Sequence, residues 1–211
     1  MMHGFLEFLC SSSPVASFLR QRIVFKIVPM LNPDGVVAGN YRTGLSGKDF
    51  NREFLCPDRY VFPEIVALKE LVVKCKREFQ NNLLLFLDFH GHSIKKNVFM
   101  YGPEFPISEK NYYESKIFPK LLGRNTEMFR YYSCIFRIST FKETTARAIL
   151  LKKLDVPFSY TIEASNGSYY DKEGMKDVNF TPALWIEMGH NIAKSLHEYC
   201  SALIQAEEIR M

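Results

Sequence analysis

Leu83 to Ser93 reads LLLFLDFHGHS, and its first five residues are the longest uninterrupted apolar run in the chain. Five apolar residues fall far short of the ~20 that a membrane-spanning helix needs. The apolar run Leu83 to Leu87, continued past Asp88 by Phe89, suits a strand covered on both faces, and polar residues with Gly91 close it. Val98 to Tyr101 follows as a further strand. Upstream, Ile23 to Val28 (IVFKIV) is β-branched and nearly all apolar, so it reads as another buried strand, ending at the turn Asn32-Pro33-Asp34-Gly35. Between these runs Ile65, Leu68, Val72, Cys75 and Phe79 recur at helical spacing after Pro63, the stripe of a helix packed on one side. Downstream, Thr140 and Glu143 form a capping box for a helix to about Leu154; Pro157 breaks it, and Phe158 to Ala164 is the next strand. Thr181-Pro182 opens a final helix carrying Leu184, Met188, Ile192, Leu196, Tyr199 and Leu203 on one face. Strands alternating with helices predict an α/β fold in one domain, residues 1–211: a mixed, largely buried β-sheet flanked by helices on both faces.

Composition narrows the function classes. The chain has 211 residues, 47% hydrophobic and 24% charged, with 18 Phe and 11 Tyr, ample for a core and unlike a disordered segment. Lys+Arg 27 against Asp+Glu 23 gives +4, too slight and too interspersed for a nucleic-acid binder. No GxGxxG or GxxxxGK[ST] loop follows a strand, which argues against a nucleotide-binding domain. Cys10, Cys56, Cys75, Cys134 and Cys200 are odd in number and widely spaced, as expected of reduced thiols in a cytoplasmic protein. The first sixteen residues lack the basic n-region of a signal peptide, and Glu7 interrupts their apolar stretch.

Ligands of open α/β folds gather at strand ends, and three polar clusters are expected there. One is Asn32 to Gly35 with Gly39-Asn40-Tyr41-Arg42 and Asp49-Phe50-Asn51-Arg52; the second is Asp88 to Ser93; the third is Glu163 within YTIEAS. Singly, each has a structural explanation. Together a strand-end His, a carboxylate in a second apolar strand and two arginines on one loop can hold a metal, activate water and clamp a carboxylate.

VPMLNPDGVVAGNYR (Val28 to Arg42), GKDFNRE (Gly47 to Glu53), LDFHGHSIKKNVFMYG (Leu87 to Gly102) and TARAILLKKLDVPFSYTIEAS (Thr145 to Ser165) stand in the order of a known family. The chain resembles the zinc metallocarboxypeptidases, and among them the cytosolic carboxypeptidases that remove glutamate from protein tails such as those of tubulin. The resemblance implies one Zn2+ with His90 as a ligand, His92 beside it, and Glu163 as general base. It implies that Arg42 stabilises the oxyanion, and that Asn51 and Arg52 clamp the substrate's terminal carboxylate. Arg147, 16 residues before Glu163, stands near the position that reads the substrate side chain, where an arginine suits glutamate; otherwise it is an exposed charge on the helix ending at Leu154. The expected partners are acidic C-terminal tails, with neither nucleic acid nor membrane.

One departure qualifies this expectation. The family takes two further zinc ligands from an HxxE motif, and none of His3, His90, His92, His190 and His197 begins one; His3 and Glu7 are spaced as HxxxE. With the uncapped helical spacing of Met2, Phe5, Leu6 and Leu9, this leads to the expectation of a catalytic domain lacking its N-terminal part, the HxxE motif and a β-domain included. Such a chain is expected to bind zinc poorly and to be nearly inactive alone. The alternative is a non-catalytic relative that binds acidic C-terminal tails through Arg42, Arg52 and Arg147.

Overall fold

The computed structural model describes residues 1–80 and 82–208. In chain order the helices are α1 (Met2–Cys10), α2 (Pro14–Arg22), α3 (Pro33–Ala38), α4 (Pro63–Glu78), α5 (Lys110–Glu114), α6 (Ile117–Asn125), α7 (Ala146–Leu154) and α8 (Pro182–Glu208). The strands are β1 (Phe86–His92), β2 (Val98–Tyr101), β3 (Ser159–Ser165), β4 (Ser168–Asp171) and β5 (Lys176–Asn179). β3 is the centre of a three-stranded mixed sheet, parallel to β1 and antiparallel to β2, while β4 and β5 form a separate hairpin.

Strand alternation divides this sheet into two unlike faces. Leu87 and Phe89 of β1, Val98 and Met100 of β2, and Tyr160, Ile162 and Ala164 of β3 join Phe5, Leu19, Phe118, Leu122, Met188 and Ile192 from the helices α1, α2, α6 and α8. Each large apolar side chain removed from water here contributes roughly 1.5–3 kcal/mol. The buried Tyr160 keeps its polar end satisfied by donating its hydroxyl proton to the Ser115 carbonyl at 2.8 Å. At the α1–α8 crossing the backbones nearly touch: a Cβ on Gly4 would overlap the carbonyl of Ile186, and one on Gly189 would lie 2.5 Å from the Phe5 amide nitrogen. On the opposite side Phe86 packs with Ile65 and Val72 of α4 and with Ala146, Ile149 and Leu150 of α7. The sheet is flanked by helices on both faces, as the alternation of strands and helices predicts.

Three local expectations are corrected. Ile23 to Val28 is extended but joins no sheet among the described residues; Ile23, Phe25 and Ile27 rest half-buried on the core while Val24, Lys26 and Val28 face outward. Near-continuous apolarity looks like two covered faces, but only alternate residues find cover here. Asn32 to Gly35 opens α3 instead of a simple turn, the Asn32 side chain accepting from the Gly35 amide at 3.0 Å, and Gly39 ends that helix with a left-handed φ of 75°. Thr140 starts only a 3-10 turn, Thr140–Lys142; the helix begins at Ala146, whose amide is taken by the distant Asn51, so a tertiary contact displaces the local capping pattern.

Candidate functional site

The sheet face turned toward α4 and α7 carries the ionisable residues. β1 is observed three residues later than the apolar run suggests, which puts His90 inside the strand instead of beyond it. Asp88 and His90, two residues apart, share this face; His90 stands opposite Glu163, Asp88 opposite Thr161, and across β3 Glu163 stands opposite Phe99 and Thr161 opposite Tyr101. His90 Nε2 and the Asp88 carboxylate are 2.8 Å apart. Burial pulls the His90 pKa down most strongly, but the Asp88 hydrogen bond and charge, with Glu163 and Asp49 behind them, raise it overall. Burial lifts the Glu163 carboxyl above its ordinary value, against the pull of His90, His92 and Lys142. That is the direction a general base in a partly apolar strand requires. His92 Nδ1 accepts from the amides of Ile94 and Lys95, both at 3.1 Å, so a neutral ring carries its proton on Nε2.

The loop of residues 40–53 supplies the arginines. Asn40 Nδ2 donates to the Thr43 carbonyl at 3.1 Å and steadies its start. Asp49 organises its end: Oδ1 accepts from the Asn51 amide at 2.9 Å, while Oδ2 lies 3.7 Å from Arg42 Nε and 3.9 Å from Arg52 Nη1. Arg52 also donates to the Asn51 carbonyl at 2.8 Å. Asn51 Oδ1 accepts the Ala146 amide proton at 2.9 Å, tying this loop to the start of α7. The Asp49 charge is felt at His90 and that of Arg52 at Lys142, so the loop faces the ionisable side of the sheet.

Arg147 is 1% exposed, which removes the alternative of an exposed helix charge. Its Nη1 donates to the Gly102 carbonyl, and its guanidinium carbon lies 5.8 Å from the centroid of the Tyr101 ring. Burial draws its pKa down to about 10, opposed by Tyr101 and Glu104. Lys142 Nζ sits 3.3 Å from the centroid of the same ring. The structure thus gathers His90, Glu163 and Arg147 around one sheet face, with Arg52 at its edge and Arg42 reaching it through Asp49. Asp49 and Asp88 belong to the polar clusters expected from the sequence, without a role of their own there; Tyr101 and Lys142 are additions. Asp88 was recoverable from the period of two that joins it to His90; Lys142 leaves no comparable signal. A basic depression of about 430 Å³ lies elsewhere, lined by Lys76, Arg77 and Lys153. Its Lys76 is engaged as a cap, donating to the carbonyls of Leu154 at 2.7 Å and Asp155 at 2.9 Å.

The donor set can be tested against a metal. With Nε2 on Asp88, His90 keeps Nδ1 for a cation, the imidazole–carboxylate arrangement that orients metal-binding histidines. No group of three or more His, Cys, Asp or Glu side chains able to hold a metal occurs among the described residues. A catalytic zinc takes three protein ligands, so these residues fit one position and not a complete site.

The zinc carboxypeptidase family profile, Peptidase_M14, matches residues 1–194. The chain belongs to the zinc carboxypeptidase family. Cytosolic carboxypeptidase 2 of Xenopus tropicalis is 40% identical over 201 residues, covering 95% of this chain and 20% of that protein. Cytosolic carboxypeptidase 6 of Homo sapiens is 40% identical over 197 residues, covering 93% of this chain and 39% of that protein. The chain therefore spans well under half the length of these relatives. A metallo-carboxypeptidase from Burkholderia cenocepacia superposes with a TM-score of 0.79 at 23% identity, over 95% of this chain and 52% of that one, a likeness of fold. No helix among the described residues of this carboxypeptidase-family chain is long and apolar enough to cross a membrane.

Proposed function

We propose that this chain is the greater part of the catalytic domain of a cytoplasmic metallocarboxypeptidase that removes C-terminal glutamate from acidic protein tails, tubulin's among them. The observation that carries the reading is the pairing of His90 with Glu163 on adjacent strands, beside an excess of cationic side chains. The substrate's α-carboxylate is held by Arg52, whose planar fork matches it, and by Asn51 Nδ2. Arg42 faces the oxygen on which charge develops, and Arg147 provides buried positive charge for an acidic side chain. Glu163, its carboxyl lifted by burial, takes a proton from the attacking water and passes it to the leaving amine. His90 would supply one ligand to a zinc whose other ligands would come from outside residues 1–211, and that ion would supply the polarisation of the water.

A second reading has support from the incomplete ligand set: a module that holds acidic tails without cutting them. The two part in one assay on the full-length protein with zinc present. Glutamate released from a Glu-tailed peptide by the wild type, and lost in Glu163→Gln, carries the enzyme reading. Tail binding without release, by a protein that holds no zinc, carries the binding one. The 211-residue chain alone is expected to hold well under one zinc at neutral pH; a full equivalent, lost in His90→Ala, would refute the external-ligand part of the proposal.

A further inference from the structure

Lys142 is the cation of this site with the least to do. Its backbone is fixed: the amide donates to the Ser139 carbonyl at 2.8 Å, and its carbonyl accepts the Thr145 hydroxyl at 2.7 Å. The side chain crosses the Tyr101 ring, with Nζ 3.3 Å from the centroid. Among the described residues Nζ has neither a hydrogen-bond acceptor nor a carboxylate within ion-pair distance. Its surroundings are charged nonetheless: Arg147 and Arg52 press on it from the cationic side and Glu163 from the anionic side. Arg52 has Nη1 on the Asn51 carbonyl and near Asp49, the rest of its fork being left for a terminal carboxylate, and Arg147 has Nη1 on the Gly102 carbonyl. Each guanidinium thus has one nitrogen spent within the protein, whereas the Lys142 ammonium has the Tyr101 face beside it and no oxygen acceptor among the described residues. An ammonium partly withdrawn from water, with an aromatic face as its partner and no oxygen acceptor, still has N–H groups to offer a carboxylate.

We propose that the Lys142 ammonium directly contacts the side-chain carboxylate of a C-terminal acidic residue, and so sets the preference for glutamate over glutamine. The inference rests on the carboxypeptidase-site reading above. It assigns Arg147 a background role, a buried guanidinium that makes the pocket positive while its Nη1 donates to the Gly102 carbonyl. The ammonium itself lies on the Tyr101 face, and an apolar end of similar length in its place should leave the pocket wall standing.

The test is calorimetric titration of the 211-residue chain with three peptides, alike except that they end in Glu, in Gln, or in Glu carrying a C-terminal amide. Lys142→Met keeps a stem over Tyr101 and removes the charge; Lys142→Arg keeps a charge. A charge-assisted hydrogen bond corresponds to an affinity loss of about ten- to a hundredfold for the Glu peptide in Lys142→Met. Binding of the Gln peptide should change by no more than about twofold, a pattern that a merely structural lysine would not produce. Lys142→Arg should retain most of the Glu preference. A wild-type preference for Glu over Gln that survives Lys142→Met overturns the Lys142 assignment alone. A wild type that binds Glu and Gln peptides alike overturns that assignment together with the acidic-substrate reading. Binding indifferent to the C-terminal amide overturns the carboxypeptidase-site reading and the assignment with it.

Discussion

Asn51 has two ends with separable jobs, which makes it the most informative single position. Its Oδ1 accepts the first amide of α7 at 2.9 Å, and Thr145, the N-cap residue in sequence, makes no side-chain cap bond. Asn51 is therefore the cap of α7, contributed from 95 residues away. Replacement of a cap by Ala costs about 0.5–2 kcal/mol, so Asn51→Ala should lower unfolding stability by about 1 kcal/mol. The Nδ2 end makes no hydrogen bond among the described residues and lies in the loop that bears Arg52. Asn51→Asp keeps the acceptor and adds a negative charge where a helix N-terminus welcomes it, so its stability should stay within about 0.5 kcal/mol of the wild type. The same charge, a second acid next to Arg52 after Asp49, should repel the terminal carboxylate of a substrate and weaken peptide binding at least about tenfold. Urea unfolding and titration with a Glu-ended peptide read the two effects separately. An Asn51→Asp chain that binds as well as the wild type would refute the carboxylate clamp; an Asn51→Ala chain of undiminished stability would refute the cap.

Two further outcomes follow from the sheet's two faces. Because burial raises the Glu163 pKa above its unfolded value, the stability linked to that carboxyl is complete below about pH 4.5 and is lost as pH rises through the folded value. Glu163→Gln should accordingly be more stable than the wild type at pH 7, with the gap closing toward pH 4; a gain independent of pH in urea unfolding would contradict the assigned cause. At the helix crossing, a Cβ on Gly189 would stand 2.5 Å from the Phe5 nitrogen and 2.8 Å from the Gly4 carbonyl carbon. α1 and α8 would have to part by about 1 Å, an overpacking cost of roughly 1–3 kcal/mol set against about 1 kcal/mol of helix propensity gained. Gly189→Ala should lower the urea midpoint, and an unchanged or higher midpoint would mean that the helices separate freely.

What was legible in the sequence is what repeats locally. The stripe Ile65, Leu68, Val72 and Cys75 gave α4 its span, and Val98 to Tyr101 gave β2, because each pattern is satisfied by packing along one element. Ile23 to Val28 departs from the expectation because its composition describes a strand that neighbours have covered twice, and in this structure alternate side chains stay exposed. The capping box at Thr140 failed for a related reason: capping energies of about 1 kcal/mol are small enough for a tertiary bond from Asn51 to move a helix start by several residues.

The site divides along the same line. His90 and Glu163 stand out in sequence because a polar residue in an apolar strand contradicts its surroundings, and the strand register then sets them opposite one another. Lys142, on a short exposed turn, contradicts nothing; a lysine there is ordinary until the fold lays it across Tyr101. Arg147 shows the converse, since helix position alone leaves it either buried or exposed, and only α7's packing against the sheet decides for burial. Residues that perform chemistry inside elements announce themselves by breaking a pattern, whereas residues that recognise a substrate from loops are defined by contacts between distant segments. The residues proposed as base and metal ligand therefore stand out in the sequence, whereas Lys142, proposed to complete a specificity pocket, does not.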